Sequence, residues 1–265
     1  VFGYLLGFVS SILLVIFILL AIFKFTVFNQ EYVLNILDIN NYYENIYKDI
    51  KKDFSNSLRS SGVDDMVLDG IYSSSGTERD IKNYIASMYS GSKYEVNSSE
   101  IKEKLNNNID KYLKDNNLEA NKNSLNKYID GVVSIYENQI ELYGYLDGGI
   151  QKFVKFGKFI DLFIAVILIL FVITFAVLRY VLHRRYSGVI ALSSGLMIIY
   201  LKLFIYNLID FKNIVIISDD FSKFVNVLFT EIGNYLLLGA SACIIISVFL
   251  NIKSSMMKIK RIKKV

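Results

Sequence analysis

Four long runs of apolar residues divide the chain into segments. Each run comes close to or exceeds the ~20 residues that a helix needs to cross a hydrocarbon core. The first run is also longer than the roughly 7–15 apolar residues of a signal peptide, which favours a retained span. The runs therefore predict four transmembrane helices, over residues 1–24, 158–182, 189–209 and 232–250.

The segment between the first two runs has a different, amphipathic pattern. Its apolar residues recur every three or four positions, which places them on one face of a helix. Thr77 is the predicted N-cap of a helix that ends at Gly91 as its C-cap. The pattern predicts a domain of four or five helices over residues 25–157, in which the first and last helices pair. The first apolar stripe consists of Tyr32, Ile36, Ile39, Tyr43, Ile46, Ile50, Phe54 and Leu58.

The fold class follows from these two patterns together. Alternation of apolar and polar residues, which is typical of strands, is missing from the chain. The chain also contains no proline, which favours uninterrupted helices. We therefore predict an all-α fold: a four-span α-helical membrane protein with an all-α extracytoplasmic domain between spans one and two.

Charge is sorted between the segments that connect the runs. Residues 25–151 hold 13 Lys and Arg against 20 Asp and Glu, whereas the short link 183–188 and the tail 251–265 contain basic residues and no acid. Basic residues close to the ends of spans mark the cytoplasmic side. We expect a multi-pass protein of the cytoplasmic membrane, with both termini inside and with residues 25–157 and the loop 210–231 outside. The residues expected to fix this orientation are Arg179, Arg184, Arg185, Lys258, Lys260, Arg261, Lys263 and Lys264.

The same distribution of charge bears on the partners of the protein. The basic tail can lie on anionic lipid of the inner leaflet, where each basic residue gains about 1 kcal/mol. The acidic balance of residues 25–151 argues against nucleic acid as a partner. The lipid bilayer and anionic lipid at the tail are thus the expected lipid contacts.

Two patches of small residues lie inside the third and fourth runs. Small side chains allow helix backbones in a membrane to approach closely, and serine hydroxyls can bond across the contact. The patches predict that spans three and four pack against each other there. Their residues are Ser193, Ser194 and Gly195 in span three, and Gly239, Ala240 and Ser241 in span four.

Lys202 and Asp161 are ionisable residues inside the apolar runs. Such residues are costly in lipid and usually pair or line a wet cavity. At a rise of about 1.5 Å per residue, both lie in the outer part of their spans. We predict a polar pair between Lys202 and Asp161, which fixes the register of the helices; a path for a solute or an ion through this point is the alternative.

Motifs of common enzymes are missing from the sequence. The chain has none of the glycine-rich phosphate loops or metal-ligand spacings that identify such enzymes. Its single histidine, His183, lies in a short link that offers arginines but no partner nucleophile or carboxylate. The single cysteine, Cys243, lies in the last apolar run and excludes a disulfide within the chain. We expect neither an enzyme nor a bound cofactor or metal.

The function is predicted from the distribution of mass across the membrane. Only a short link and a basic tail are expected inside, so a signal would have to pass to another protein. The leading hypothesis is a bacterial integral membrane protein whose helical domain binds or senses an extracytoplasmic partner and acts with other membrane subunits. The alternative is a transport component, either a permease-like subunit or a small channel, which would require a homo-oligomer.

Overall fold

The structure, a computed structural model, describes residues 2–59, 64–92, 94–119, 121–140, 152, 154–181, 186–208 and 219–262. Helices account for 88% of these residues, and no strand occurs among them. This confirms the all-α fold predicted from the sequence. The helices are α1 (Phe2–Phe25), α2 (Gln30–Ile39), α3 (Tyr42–Arg59), α4 (Ser74–Ser90), α5 (Ser99–Asp115), α6 (Lys122–Ile140), α7 (Ile160–Ala176), α8 (Ser187–Leu208) and α9 (Asp219–Ile262), with a 3₁₀ helix at Asp65–Leu68 and a π-helical turn at Val177–Val181 after α7.

Four of these helices are long and apolar enough to cross a membrane. They are α1, α7 with its π-helical turn, α8 and α9. A helix satisfies its backbone N–H and C=O groups internally, which is what a spanning segment requires in lipid. The four spans predicted from the sequence are thus confirmed as helices, and they indicate a multi-pass membrane protein.

The last helix extends beyond the predicted fourth span at both ends. It begins at Asp219, inside the predicted loop 210–231, and its backbone stays helical to Ile262 in the predicted tail. The reason at its start is an apolar face with helical spacing: Phe221, Phe224 and Leu228 are all buried. The sequence did not predict this part of the helix, because charged residues lie between these positions and interrupt the apolar run.

The membrane-length helices α1, α7 and α8, together with α9 from residue 225 onward, belong to one compact unit, which comprises the described residues within 1–32, 156–214 and 225–265. Helix α1 packs antiparallel to α7, since the Ser10 hydroxyl donates to the Thr174 hydroxyl at 3.0 Å and Lys24 donates to Asp161 at the other end. Helix α1 also packs against α8, where the Ser194 hydroxyl donates to the Ser11 carbonyl oxygen at 3.1 Å. We call this unit the bundle.

Residues 33–155 and 215–224 form the second compact unit, which we call the helical domain. Its core is apolar and closely packed. Each of α3, α4, α5 and α6 contributes side chains with at most 2% exposure, and the ring of Phe54 lies edge-on to that of Tyr72 with centroids 5.1 Å apart. The buried core residues of these four helices include Ile46, Ile50, Phe54, Leu58, Ile81, Ile85, Leu105, Ile109, Ile129, Val132 and Tyr136.

The first apolar stripe of this domain is broken into two helices, contrary to the single helix expected from its periodicity. Asn41 has a φ of 52°, in the left-handed region, and separates α2 from α3. Asparagine tolerates this conformation better than most residues. The break changes the face that points inward: Leu37 is fully buried, whereas Ile39, a member of the predicted stripe, is 67% exposed.

The ends of α4 show one correct and one incorrect prediction. Gly91 is the C-cap, with a φ of 76° that suits glycine. The N-cap, however, is Ser73, whose hydroxyl accepts from the Gly76 amide at 3.0 Å. Thr77 lies one turn later and is fully buried. Ser73, Ser74 and Ser75 lie just before Gly76 and Thr77, so more than one N-cap was compatible with the sequence. The structure places the N-cap at Ser73. The apolar periodicity predicts the last helix of the domain from about residue 124 to residue 146. It corresponds to α6, which ends at Ile140, and residues 141–146 lie outside the described residues.

Candidate functional site

An open cavity of about 380 Å³ lies beside the first turns of α4 and α5 in the helical domain. We call it the polar cavity. Its volume falls within the roughly 300–1,000 Å³ of small-molecule sites. The cavity is therefore large enough for a small solute. It is lined by Gly70, Ile71, Tyr72, Ser73, Ser75, Gly76, Arg79, Asp80, Asn97, Glu100, Ile101, Lys104 and Tyr136.

A buried carboxylate forms one wall of the polar cavity. Asp80 is 7% exposed, and its Oδ2 accepts from the Tyr136 hydroxyl at 2.7 Å. Its Oδ1 accepts from Arg79 Nε at 3.3 Å and from the Tyr94 hydroxyl at 3.5 Å. A charge can be buried only when donors replace the water that it loses. These three donors hold the Asp80 carboxylate in a fixed orientation.

The Tyr136 hydroxyl is a permanent donor in this network. Burial raises the pKa of Tyr136 far above its ordinary value, and the hydrogen bond to Asp80 raises it further. The hydroxyl consequently keeps its proton at any physiological pH. Tyr136 comes from α6 and Asp80 from α4, so their hydrogen bond also joins two helices of the domain.

Arg79 presents the strongest donors of the cavity wall. Its hydrogen bond to Asp80 raises the pKa of its guanidinium, which stays charged. The contact uses Nε, and the side chain remains 67% exposed, so the two terminal nitrogens are open to the cavity and to solvent. A guanidinium offers its N–H groups in a planar fork that matches a carboxylate or phosphate. Arg79 is thus a cation whose direction is set by the buried carboxylate.

The start of α4 adds smaller donors beside Arg79. The first turn of α4 contains no acidic residue of its own, and the Ser74 hydroxyl in that turn donates to Glu44 of α3 at 3.3 Å. Ser75 lies in that turn, and its hydroxyl is within 3.2 Å of the Ser73 hydroxyl. Across the cavity, Asn97 Oδ1 accepts from the Ser99 hydroxyl at 2.5 Å and from the Ser99 amide at 3.3 Å, which leaves the Asn97 NH₂ group as a donor.

An ion pair lies at the rim of the polar cavity. Lys104 Nζ is 2.7 Å from Glu100 Oε1, and both side chains are about half exposed. Lys104 lowers the pKa of Glu100 through this hydrogen bond, and the charge of Arg79 lowers it slightly more. The lining thus holds two basic and two acidic groups, and each acid already accepts from a base.

Polar contacts also fix the walls of the cavity. The Asn108 NH₂ group donates to the carbonyl oxygens of Val67 and Asp69, each at 2.9 Å, which ties α5 to the segment before Gly70. The Ser98 hydroxyl donates to Glu137 at 2.6 Å and joins the start of α5 to α6. These contacts hold α5, α6 and the segment before Gly70 in place around the cavity.

Within the described ranges, no group of three or more His, Cys, Asp or Glu side chains is placed to hold a metal ion. His183, the only histidine of the chain, lies outside the described residues. The polar cavity combines oriented donors with an open volume, and this arrangement can bind a small solute.

The intramembrane pair expected from the sequence has a different composition in the structure. Asp161 accepts from Lys24 of α1 instead of Lys202 of α8. The Lys202 ammonium lies 5.4 Å from the centre of the Tyr206 ring, at cation–π distance. The prediction considered depth in the membrane alone, whereas the ion pair depends on which helix lies next to α7, and that helix is α1.

The structure brings the two patches of small residues together at one point. A Cβ atom built on Gly195 would lie 3.0 Å from the Ala240 carbonyl oxygen, so α8 and α9 are in backbone contact there. Ser194 is fully buried and bonds to α1, and a Cβ on Gly239 would lie 3.1 Å from Ile18 of α1. Ser193 is half-buried and Ser241 is exposed. The patches thus serve α1 as well as the contact between α8 and α9.

Further hydroxyls inside the bundle were not singled out from the sequence. Ser11 donates to the Ile190 carbonyl oxygen at 3.4 Å, and Ser247 donates to the Gly188 carbonyl oxygen at 2.6 Å. Each contact joins two helices, as expected for polar side chains between spans. In the sequence, the serine and threonine residues within the apolar runs were the feature that could have indicated these contacts.

The residues expected to fix the orientation are only partly described. Arg179 lies in the π-helical turn after α7. Arg184, Arg185, Lys263 and Lys264 lie outside the described residues. Three more, Lys258, Lys260 and Arg261, lie on the last turns of α9, where only the backbone is described.

Arg79, Asp80 and Tyr136 were not singled out as a site from the sequence. Arg79 and Asp80 are neighbours within an amphipathic helix, and Tyr136 lies far along the chain, so no spacing connected them. The one feature of the sequence that could have indicated this site is the acidic residue Asp80, directly before the apolar face of α4 that begins at Ile81.

Comparisons with models of known protein families, with curated proteins and with solved structures found no match.

Proposed function

We propose that the chain is a bacterial integral membrane protein whose helical domain lies on the extracytoplasmic side and binds a partner there. In this proposal the bundle anchors the domain and acts with other membrane subunits. The observation that carries the proposal is the polar cavity, in which a buried carboxylate accepts from Arg79 beside an open volume of about 380 Å³. Residues with fixed direction at a cavity are typical of binding sites.

Charge distribution supports the orientation. The segment 25–151 has an excess of acid, whereas the link 183–188 and the tail 251–265 contain basic residues and no acid. Basic residues are retained on the cytoplasmic side during insertion. Both termini are then inside, and the helical domain and the segment 210–218 are outside.

The orientation is tested by labelling single cysteines in intact cells. The only native cysteine, Cys243, is buried and can be replaced by alanine. In that background Asn116→Cys places a thiol at the exposed C-cap of α5. Lys253→Cys places one at an exposed position within the tail 251–265. A membrane-impermeant maleimide should label Asn116→Cys only, and both after permeabilisation. Labelling of Lys253→Cys alone in intact cells would contradict this orientation and indicate the opposite one.

Binding of a partner is tested by co-purification in mild detergent. Ser75→Trp places a large side chain at the polar cavity, whereas Asn123→Trp places the same side chain on an exposed position of α6. We expect a partner to co-purify with the wild type and with Asn123→Trp and to be lost with Ser75→Trp. Recovery of the protein alone in all three preparations would contradict the proposal.

The second candidate function is a transport component. Lys202 favours it, because this ammonium lies within the span α8 and has no carboxylate within ion-pair distance in the described part of the chain. A lone cation in a span often marks a path for solute. Four spans make a thin pore, so this function requires a stable homo-oligomer. Mass photometry of the detergent-solubilised protein distinguishes the two, since a uniform monomer excludes the oligomeric pore.

A further inference from the structure

We infer that the polar cavity binds a small solute through an oxyanion group, a carboxylate or a phosphate, held by the terminal nitrogens of Arg79. This inference rests on the proposed binding function and adds the chemical class of the ligand. It follows from three features of the cavity: the balance of donors and acceptors, the fixed direction of Arg79, and the volume that remains beside it.

Most side-chain acceptors of the cavity already accept a hydrogen bond, one oxygen of Glu100 being an exception. Both Asp80 oxygens accept hydrogen bonds from protein donors, and Glu100 accepts from Lys104. Asn97 Oδ1 accepts from Ser99, and Ser73 Oγ accepts from the Gly76 amide. A ligand rich in donors would therefore compete with contacts that the domain already makes. A ligand rich in acceptors would not.

The donors of the cavity, in contrast, are still available. The terminal nitrogens of Arg79 are not used by its contact with Asp80, and Asn97 keeps its NH₂ group. Lys104 has further N–H groups beyond the one that contacts Glu100. An oxyanion is the group that all of these donors can share.

The direction of Arg79 is set before any ligand binds. Tyr136 holds Asp80, and Asp80 holds Arg79 Nε. Fixing a flexible side chain in advance reduces the entropy lost on binding. A charged hydrogen bond from a fixed guanidinium can also be bidentate to an oxyanion. Asp80 and Tyr136 are positioning residues in this site, and Arg79 is the residue that contacts the ligand.

The cavity is larger than an isolated oxyanion. Its volume of about 380 Å³ corresponds to about a dozen water molecules at roughly 30 Å³ each. Two of the lining side chains, Ile71 and Ile101, are apolar and nearly fully buried, so the floor suits carbon atoms. The acidic balance of residues 25–151 disfavours long polyanions such as nucleic acids. The ligand is thus a small organic solute with one acidic group against Arg79.

The experiment measures binding of defined probes to the full chain in nanodiscs of phosphatidylcholine. Glutarate carries the carboxylate and glycerol 3-phosphate carries the phosphate. Glutaramide and glycerol are their neutral counterparts. We expect saturable binding of at least one charged probe in isothermal titration calorimetry, and no binding of its neutral counterpart. The stronger of the two charged probes identifies which oxyanion the site prefers.

Variants then assign the binding to Arg79. Arg79→Gln should raise the Kd of the charged probe by about tenfold or more, because a charge-assisted contact is lost. Arg79→Lys should recover part of the affinity, since it restores the charge without the planar fork. Lys122→Gln removes the same charge from an exposed position of α6 away from the cavity and should leave the Kd within about twofold. If Arg79→Gln does not fold, Lys104→Gln at the rim should raise the Kd severalfold.

Three results would overturn the inference: no saturable binding of either charged probe, equal binding of the neutral counterparts, or an unchanged Kd in a folded Arg79→Gln variant. If Arg79→Gln does not fold, an unchanged Kd in Lys104→Gln takes the place of the third result. The proposed function fails on other measurements, namely cysteine labelling and co-purification of a partner. A partner that is lost with Ser75→Trp while both charged probes fail to bind would retain the proposed function and refute the oxyanion.

Discussion

The contact between α8 and α9 at Gly195 allows a sharp test of the bundle. Gly195→Ala adds a single Cβ atom, which would lie 3.0 Å from the Ala240 carbonyl oxygen, 3.0 Å from Ile244 Cγ1 and 3.3 Å from Cys243 Cβ. The oxygen belongs to the backbone of a helix and cannot rotate away. The helices must therefore separate by a few tenths of an ångström. Overpacking of this kind typically costs about 1–3 kcal/mol.

The matched control for this variant is Gly7→Ala in α1, where an added Cβ has no atom within 4 Å. Alanine is favoured over glycine inside a helix by roughly 0.5–1 kcal/mol, and both variants share this gain. The difference between the two variants consequently isolates the contact. We expect Gly7→Ala to match or exceed the wild type, and Gly195→Ala to be less stable than Gly7→Ala by about 1–3 kcal/mol.

The assay is reversible unfolding of the detergent-solubilised protein by sodium dodecyl sulfate, followed by circular dichroism. The native Cys243 supplies a second, local readout, because it is buried and lies against Gly195. Its reaction with a small maleimide under native conditions should be faster in Gly195→Ala than in Gly7→Ala. Equal stabilities together with equal Cys243 rates would refute the close approach of α8 and α9.

Three further predictions concern other contacts. Tyr136→Phe removes a donor to a buried carboxylate and should lower the free energy of unfolding of the helical domain by about 1–3 kcal/mol. The control Tyr128→Phe removes a buried hydroxyl that has no hydrogen-bond partner in the described part of the chain. Thermal unfolding of this control should therefore occur at the same temperature as the wild type or higher. Asn41→Ala places alanine at a φ of 52° and should destabilise by about 1–2 kcal/mol, while Asn41→Gly should not, as chemical unfolding would show. A double-mutant cycle on Lys24 and Asp161 should give a favourable coupling energy of roughly 0.2–1 kcal/mol, and a coupling of zero would contradict a stabilising contact between them.

The four spans could be derived from the sequence because length and apolarity are local properties. A helix that crosses lipid must satisfy its own backbone hydrogen bonds, so an apolar run of sufficient length has only one regular solution. The all-α character of the remaining segments followed equally from local periodicity and from the absence of proline. The small residues Gly195 and Ala240 were recognised for a similar reason, since a patch of small side chains within a span has few other uses.

The tertiary structure alone decided which side chains meet. The depth of Asp161 in its span was compatible with a contact to either Lys24 or Lys202, and only the position of α1 beside α7 selected Lys24. The break at Asn41 between α2 and α3 was likewise not visible in the sequence, because the apolar periodicity continues across it.

The polar cavity shows the same limit most clearly. Arg79 and Asp80 are adjacent in the sequence, but Tyr136 reaches them from a helix more than fifty residues away. The contact exists because the packing of α4 against α6 buries Asp80 and leaves Arg79 exposed. Local pattern therefore determined which segments are helices and which of them can cross a membrane. Long-range packing determined the site, because burial of a single carboxylate depends on every helix around it.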